Sequence, residues 1–184
     1  MKAVQNIKEI AGRRALRKEP EPNRIRCGGN FNSAQHIGIL YIDSDESHYN
    51  FIRNYAKLIK ENFGVKNVTA LGFVNEPSKR IPVWQSQKLE FGFFTKDDLA
   101  WNLKPVQNVE KFVAIDFDIL IDLSGGNNLP LNFILKQNKA KMKVGMHGTK
   151  GEKYYDFLLN MNANASLDKF AEQLNMYLSN PKIK

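Results

Sequence analysis

The order of apolar runs and helical patterns from residue 36 onward is the feature that most constrains the fold. HIGILYI at 36–42 has strand length and lacks strict alternation, which predicts burial on both faces, as in a parallel sheet. An amphipathic helical pattern follows at about 46–63 and ends at Gly64, a residue typical of helix C-termini. NVTALGFV at 67–74 then predicts a second strand and completes a βαβ unit with a right-handed crossover.

The same alternation continues to the end of the chain. Strands are expected at 89–95, near the sheet edge, and at 117–124 and 141–148, with helices at 127–140 and 166–180. VEKFVAI at 109–115 fits either a strand or a short helix. The pattern predicts an α/β fold, with a single Rossmann-like, mostly parallel sheet and helices on both faces.

Positive charge is concentrated at the N-terminus. The chain of 184 residues has a net charge of +8, and residues 1–36 contain eight Lys and Arg against three acidic residues. A short helix is expected at 3–18, and the Pro- and Gly-rich stretch after it predicts a linker. We therefore divide the chain into a basic N-terminal arm and linker at 1–35 and an α/β domain at 36–184.

A basic arm on a nearly balanced body is typical of proteins that bind a polyanion. Nucleic acid is the most common such partner, an anionic membrane surface comes next, and a solvated tail without a partner is the alternative. If the partner is RNA, we expect the phosphates to be contacted by the basic residues of the arm, namely Lys8, Arg13, Arg14, Arg17, Lys18, Arg24 and Arg26.

The strand ends offer a second candidate site, because ligands of open α/β sheets bind beyond the carboxyl ends of the strands. The possible ligand-binding residues there are Asp43, Ser44, Asp122, Ser124 and Gly125. LSGGNNLP places two glycines between a strand and a helix, as a phosphate-binding loop does, but it lacks the spacing of known phosphate loops. The glycines fit a simple turn better, with Asn127 or Asn128 as the helix cap.

Other kinds of site find little support in the sequence. Asp43 and Asp45 suit Mg²⁺, but helix capping also explains them, and the three histidines show no zinc-binding spacing. We assign no catalytic residue, no metal and no cofactor. The aromatic residues Phe91, Phe93, Phe94 and Trp101 lack the spacing of an RNA-recognition motif, so core packing is the preferred interpretation.

The single cysteine fits a reducing compartment, and no apolar run approaches the length of a transmembrane segment. A cytoplasmic location is therefore expected. The oligomeric state does not follow from the sequence.

Two stretches carry a resemblance to known proteins. HIGILYIDS and FDILIDLSGGNNLPLNFILKQNKAKMKVGMHG resemble a small uncharacterised family of short α/β proteins. The second is also similar to part of the N-terminal domain of heptosyltransferase-type glycosyltransferases, where an LIDLQ strand leads into a helix and a basic strand. This resemblance implies a Rossmann-like fold. A chain of 184 residues leaves no room for the second domain that binds the sugar nucleotide, so we expect no transferase activity from this chain alone.

Two functions follow as hypotheses. The first is a non-enzymatic RNA-binding protein, ribosomal or ribosome-associated, that the basic arm anchors to a ribonucleoprotein particle. The second is a small enzyme or ligand-binding domain for a nucleotide or sugar phosphate at the strand ends.

Overall fold

A computed structural model describes residues 2–81, 84, 90–149, 151–161 and 166–179. Its strands are β1 (His36–Ile42), β2 (Asn67–Val74), β3 (Phe91–Thr95), β4 (Ile119–Asp122), β5 (Met142–Met146) and β6 (Phe157–Leu159). Among these residues the strands form one six-stranded sheet in the order β3-β2-β1-β4-β5-β6, and all neighbouring strands are parallel. The Rossmann-like α/β fold is confirmed, and β3 lies at the sheet edge as expected.

Helices cover both faces of the sheet. They are α1 (Lys2–Lys18), α2 (Glu46–Phe63), α3 (Glu110–Val113), α4 (Leu129–Gln137) and α5 (Leu167–Leu178), and short 3₁₀ turns lie at Ser78–Arg80, Lys96–Asp98 and Glu152–Tyr154. Buried side chains of α2 and α5 pack on one face, whereas those of α3 and α4 pack on the other with Leu16 of α1. Every central strand is therefore buried on both sides, which explains its continuous apolar sequence.

Local signals in the sequence set the ends of these helices. The side chain of Asp45 accepts a hydrogen bond from a backbone N–H in the first turn of α2, and Gly64 ends that helix with a φ of 68°. Asn128 caps α4 and Ser166 caps α5 in the same way. These caps agree with the helix starts predicted from the sequence.

The segment assigned to the arm and linker lies against the sheet domain. Leu16 is buried, and Phe31, with no exposed surface, belongs to the core between the sheet and α2. Nζ of Lys136 in α4 donates a 2.9 Å hydrogen bond to the backbone oxygen of Leu16, at the carboxyl end of α1. Helix α1 is thereby held against α4.

Two features of the fold differ from or go beyond the sequence interpretation. The stretch at 109–115, which fitted a strand or a helix, contains the four-residue helix α3. Strand β6 was not predicted, because its three residues are too short to show a periodic pattern. Leu89 and Asn180, at the ends of two predicted elements, lie outside the described residues.

Candidate functional site

The carboxyl ends of β1 and β4 form the natural crevice of this sheet. These two central strands are neighbours, and the chain leaves them toward opposite edges, which is the arrangement at which open α/β sheets bind ligands. Asp43 follows β1 directly, and Asp122 is the last residue of β4. Both carboxylates of the predicted ligand site therefore lie near this edge, but Asp122 is in register with Leu40, three residues before Asp43, and the two side chains have different partners, Tyr155 and Tyr41.

The carboxylate of Asp122 is occupied by contacts inside the protein. The residue is 1% exposed, and it accepts hydrogen bonds from the Tyr155 hydroxyl at 2.5 Å and from the Ser124 backbone N–H at 2.7 Å. Burial raises the pKa of Asp122, and these hydrogen bonds partly offset that rise. Asp122 thus helps to fix the conformation of the loop that follows β4.

The residues that follow β1 mainly stabilise the start of α2. Ser44 Oγ donates a 2.9 Å hydrogen bond to Asp45, the cap residue of α2. Asp43 is buried and interacts with the Tyr41 hydroxyl; burial, then the charge of Asp45, raises its pKa to about 6. Within the described residues no cluster of three His, Cys, Asp or Glu side chains is arranged to hold a metal ion. Capping thus accounts for Asp45.

The glycines after β4 form a turn. Gly125 and Gly126 have φ values of 74° and 67°, which glycine adopts without strain. In α4 the Asn128 side chain accepts the Leu131 N–H, and Pro130 contributes no N–H. Most donors that a phosphate would use at this helix start are therefore consumed or missing.

A separate cleft lies where α1 crosses the carboxyl edge of the sheet. It encloses about 370 Å³. One wall is α1 and the other consists of loops that follow β2, β3 and β4; the polar residues that line it are Gln5, Lys8, Glu9, Arg13, Asn75, Lys96, Asn127 and Asn128. Trp101 also lines this cleft and is 66% exposed. An exposed indole beside basic side chains offers both a stacking surface and charge complementarity to an anion.

The basic residues of α1 extend from this cleft along the helix. Lys8 and Arg13 are half-buried in it, whereas Arg14, Arg17 and Lys18 are exposed. Across the described part of the chain, none of these five side chains lies within ion-pairing distance of a carboxylate. Their charge is therefore available to a partner.

The two remaining arginines of the predicted set lie elsewhere. Arg24 donates two hydrogen bonds of 2.7 and 2.8 Å to Asp156 and one of 2.9 Å to the backbone oxygen of Ala140. Its side chain is 8% exposed and fastens the linker to the sheet domain. Arg26 is exposed, and its Nε lies 3.7 Å from Asp156. The predicted set thus separates into a group on α1 and a group near β5 and β6.

The aromatic residues that were considered for RNA stacking also differ in their exposure. Phe94 is fully buried, and Phe91 and Phe93 are half-buried, in keeping with core packing. For Trp101 the core-packing interpretation was wrong. The half-buried Leu99 and Leu103 on either side pack against the core, and Trp101 between them faces outward.

Comparisons with known proteins place the chain in a sequence family. Residues 8–180 match the model of a family of unknown function, DUF6913. No curated protein matches. The E. coli heptosyltransferase WaaC with ADP is structurally similar, with a TM-score of 0.48 and 14% sequence identity over 78% of this chain and 46% of that enzyme. The chain thus spans less than half of that protein's length. The family match confirms the resemblance to an uncharacterised family.

One further property bears on the setting of the site. Among the described residues no helix has both the length and the apolar composition that crossing a bilayer requires.

Proposed function

The chain belongs to the DUF6913 family, whose function is unknown, and on the geometry of the cleft we propose that it is a non-enzymatic protein that binds single-stranded RNA. The partner in this proposal is an RNA of a cytoplasmic ribonucleoprotein particle such as the ribosome. The observation that carries the proposal is the cleft beside α1, where free basic side chains and an exposed tryptophan occur together.

Charge supports the backbone part of the interaction. Lys8, Arg13, Arg14, Arg17 and Lys18 lie on one helix and keep their charges unpaired among the described residues. Successive phosphates of a single strand run past such a helix, and each contact releases condensed counterions. If all five side chains contact phosphates, the affinity falls about 100-fold between 50 and 200 mM salt, since single strands lose about 0.7 log unit per contact and decade of salt.

Trp101 supports the base-binding part. A base that is not paired can stack on an exposed indole, whereas a base inside a duplex cannot. The cleft volume of about 370 Å³ suits one or two such groups. We therefore favour single strands and unpaired loops of a folded RNA over duplexes.

Fluorescence anisotropy with a labelled single-stranded RNA of about 12 nucleotides tests this proposal directly. We expect binding that weakens steeply with salt and that is stronger for the single strand than for the same sequence as a duplex. Trp101→Ala should weaken binding about 5- to 100-fold through loss of stacking. The protein has two tryptophans, so in the Trp84→Phe variant the remaining fluorescence reports Trp101 alone and should be quenched by RNA.

The particle-level test is sedimentation of a cell lysate through a sucrose gradient. The full chain should migrate with ribosomal particles, and the Arg14→Gln/Arg17→Gln variant should return to the top of the gradient. Lys66→Gln, which removes one exposed positive charge before β2, is the control and should still migrate with the particles. Absence of binding in both the anisotropy and the gradient experiments would overturn the proposal.

The contacts favour this function over a small-ligand site at the strand ends. Asp122 is closed off by Tyr155, and the start of α4 retains few free N–H donors. Isothermal titration with a nucleotide or a sugar phosphate separates the two hypotheses. Saturable binding that Asp43→Asn abolishes and Trp101→Ala leaves unchanged would favour the strand-end site instead.

A further inference from the structure

A second, much smaller basic cavity lies near the carboxyl end of α4, between the linker and β5. It encloses about 30 Å³. Among the described residues, five cationic side chains and one carboxylate, that of Glu21, line it; the cations are Arg24, Arg26, Lys136, Lys143 and Lys153. From this geometry we propose that the cavity is a binding site for a small tetrahedral oxyanion, either free phosphate or the phosphate group of a monoester.

The buried lysines retain hydrogen-bond donors for such an ion. Nζ of Lys143 donates to the backbone oxygens of Leu135 and Lys136, and Nζ of Lys136 donates to those of Leu16 and Arg17. An ammonium group has three N–H donors. Among the described residues each lysine therefore has two hydrogen-bond acceptors in the protein and one donor left, and both line the same cavity. The Lys136 ammonium also lies 5.9 Å from the centroid of the Tyr154 ring.

Among the described residues the charge around these lysines is only partly balanced. Lys143 is 3% exposed and Lys136 is 6% exposed, and burying charged groups is costly unless they are compensated. The partial negative charge at the carboxyl ends of α1 and α4 offsets part of their charge. Asp156 pairs with Arg24 and lies 3.7 Å from Arg26, Glu19 interacts electrostatically with Lys136, and Glu21 lines the cavity. An oxyanion would supply the negative charge that is still lacking.

The pKa of Lys143 responds to the same imbalance. Burial first, and then the positive charges of Arg24 and Arg26, lower the pKa of Lys143 to about 7, although Asp156 and Glu21 oppose this shift. A bound anion favours the charged ammonium and raises this pKa again. Anion binding should therefore be accompanied by proton uptake near neutral pH, and it should weaken as the pH rises above 7.

The size of the cavity selects the ligand class. A single water requires about 10–15 Å³ of such cavity volume. A cavity of about 30 Å³ therefore admits a small oxyanion and excludes a nucleobase or a sugar. A monoester is acceptable only if its organic part points out past Arg26 and Lys153, which form the exposed rim. Among the described residues none lines both this cavity and the RNA cleft, although Lys153 also lies near Arg13 and Arg17 of α1. The proposal does not depend on the proposed function.

Thermal unfolding of the full chain in inorganic phosphate tests the proposal. We expect a saturable rise of about 3 °C in the midpoint when phosphate exceeds its Kd about tenfold, and no such rise with chloride at equal ionic strength. Glycerol phosphate in place of inorganic phosphate distinguishes the monoester from the free ion. Because the charge of sulfate is constant between pH 6 and 8.5, titration with sulfate gives the pH dependence, which should show weaker binding at the higher pH.

Substitutions at the rim keep the test independent of folding. Arg26→Gln/Lys153→Gln changes two exposed side chains and should weaken phosphate binding about tenfold or more through the loss of charge-assisted hydrogen bonds. Lys66→Gln is the control for charge and should bind as the unmodified chain does. Lys143→Met should remove the pH dependence of sulfate binding. An equal response to chloride, or unchanged phosphate binding in the rim variant, would overturn the proposal.

Discussion

The hydroxyl of Tyr155 donates a 2.5 Å hydrogen bond to Oδ2 of Asp122, which joins the segment before β6 to the last residue of β4. Two glycines make room for this contact, because a Cβ atom at Gly145 or at Gly126 would collide with Tyr155 or with neighbouring Thr149. The hydrogen bond between Tyr155 and Asp122 fixes the loop that leads into α4. Helix α4 in turn packs against α1, and its first residues line the cleft.

We expect Tyr155→Phe to lower the free energy of unfolding by about 2–3 kcal/mol. The substitution keeps the ring and removes the hydrogen bond, so a buried carboxylate that is 1% exposed loses a donor. Urea denaturation gives the value. Tyr177→Phe, which changes a 42% exposed tyrosine of α5, should cost less than about 0.5 kcal/mol.

A double-mutant cycle identifies the partner. Asp122→Asn combined with Tyr155→Phe should cost clearly less than the sum of the two single substitutions, because the second change removes an interaction that the first has already broken. Additive costs would show that the hydrogen bond does not couple the two residues.

Asp43 should make stability fall as the pH rises from about 4 to 6. Burial, then the charge of Asp45, raises the pKa of Asp43 to about 6 in the folded protein, above its ordinary value of 3.8. An acid with a raised pKa favours folding while it is protonated, and this contribution is lost as the pH rises through the folded pKa.

Because solvent screens part of this effect, we expect a loss of about 1–2 kcal/mol across that range. Urea denaturation at a series of pH values should show a smaller decline in Asp43→Asn than in the unmodified chain. Asp116→Asn, at an exposed carboxylate, should leave the profile unchanged. A profile in Asp43→Asn that matches the unmodified chain would contradict the assignment.

Gly12→Ala should destabilise the protein although alanine favours helices. In an isolated helix the change would contribute about 1 kcal/mol. In the folded chain, however, a Cβ atom at Gly12 would collide with the backbone oxygen of Asn102 and with Leu129. We expect the free energy of unfolding to fall by about 1–3 kcal/mol as α1 is pushed away from α4.

A peptide of residues 2–18 provides the contrast. Its helix content, measured by circular dichroism, should rise with the same substitution, because the peptide lacks the neighbours that the new methyl group meets. A Gly12→Ala protein that is more stable than the unmodified chain would show that α1 does not pack closely against α4.

The sequence predicts those parts of the fold that depend on neighbours along the chain. The cap at Asp45, the left-handed Gly64 and the cap at Asn128 are local signals, and the structure has them where they were expected. β6 has no such signal, since its three residues are held by pairing with β5. Its identity therefore depends on a contact that the sequence does not display.

The candidate sites show the same limit more clearly. The pairing of Arg24 with Asp156 joins residues 132 positions apart, so a basic residue of the linker could not be distinguished from one free to bind a phosphate. Trp101 lies among apolar residues and resembles a core residue in sequence. Only the packing of Leu99 and Leu103 on either side of it shows that the indole faces outward.

Arg24 and Arg17 should respond to substitution in opposite ways. Arg24→Gln removes the partner of Asp156 and should lower the free energy of unfolding by about 2–3 kcal/mol, while RNA affinity stays within about twofold. Arg17→Gln changes an exposed residue, so stability should stay within about 0.5 kcal/mol, but the slope of log affinity against log salt should fall by about 0.7. Urea denaturation and anisotropy measure the two quantities on the same samples. If Arg24→Gln weakened RNA binding at unchanged stability, the guanidinium would contact phosphate instead of holding the linker.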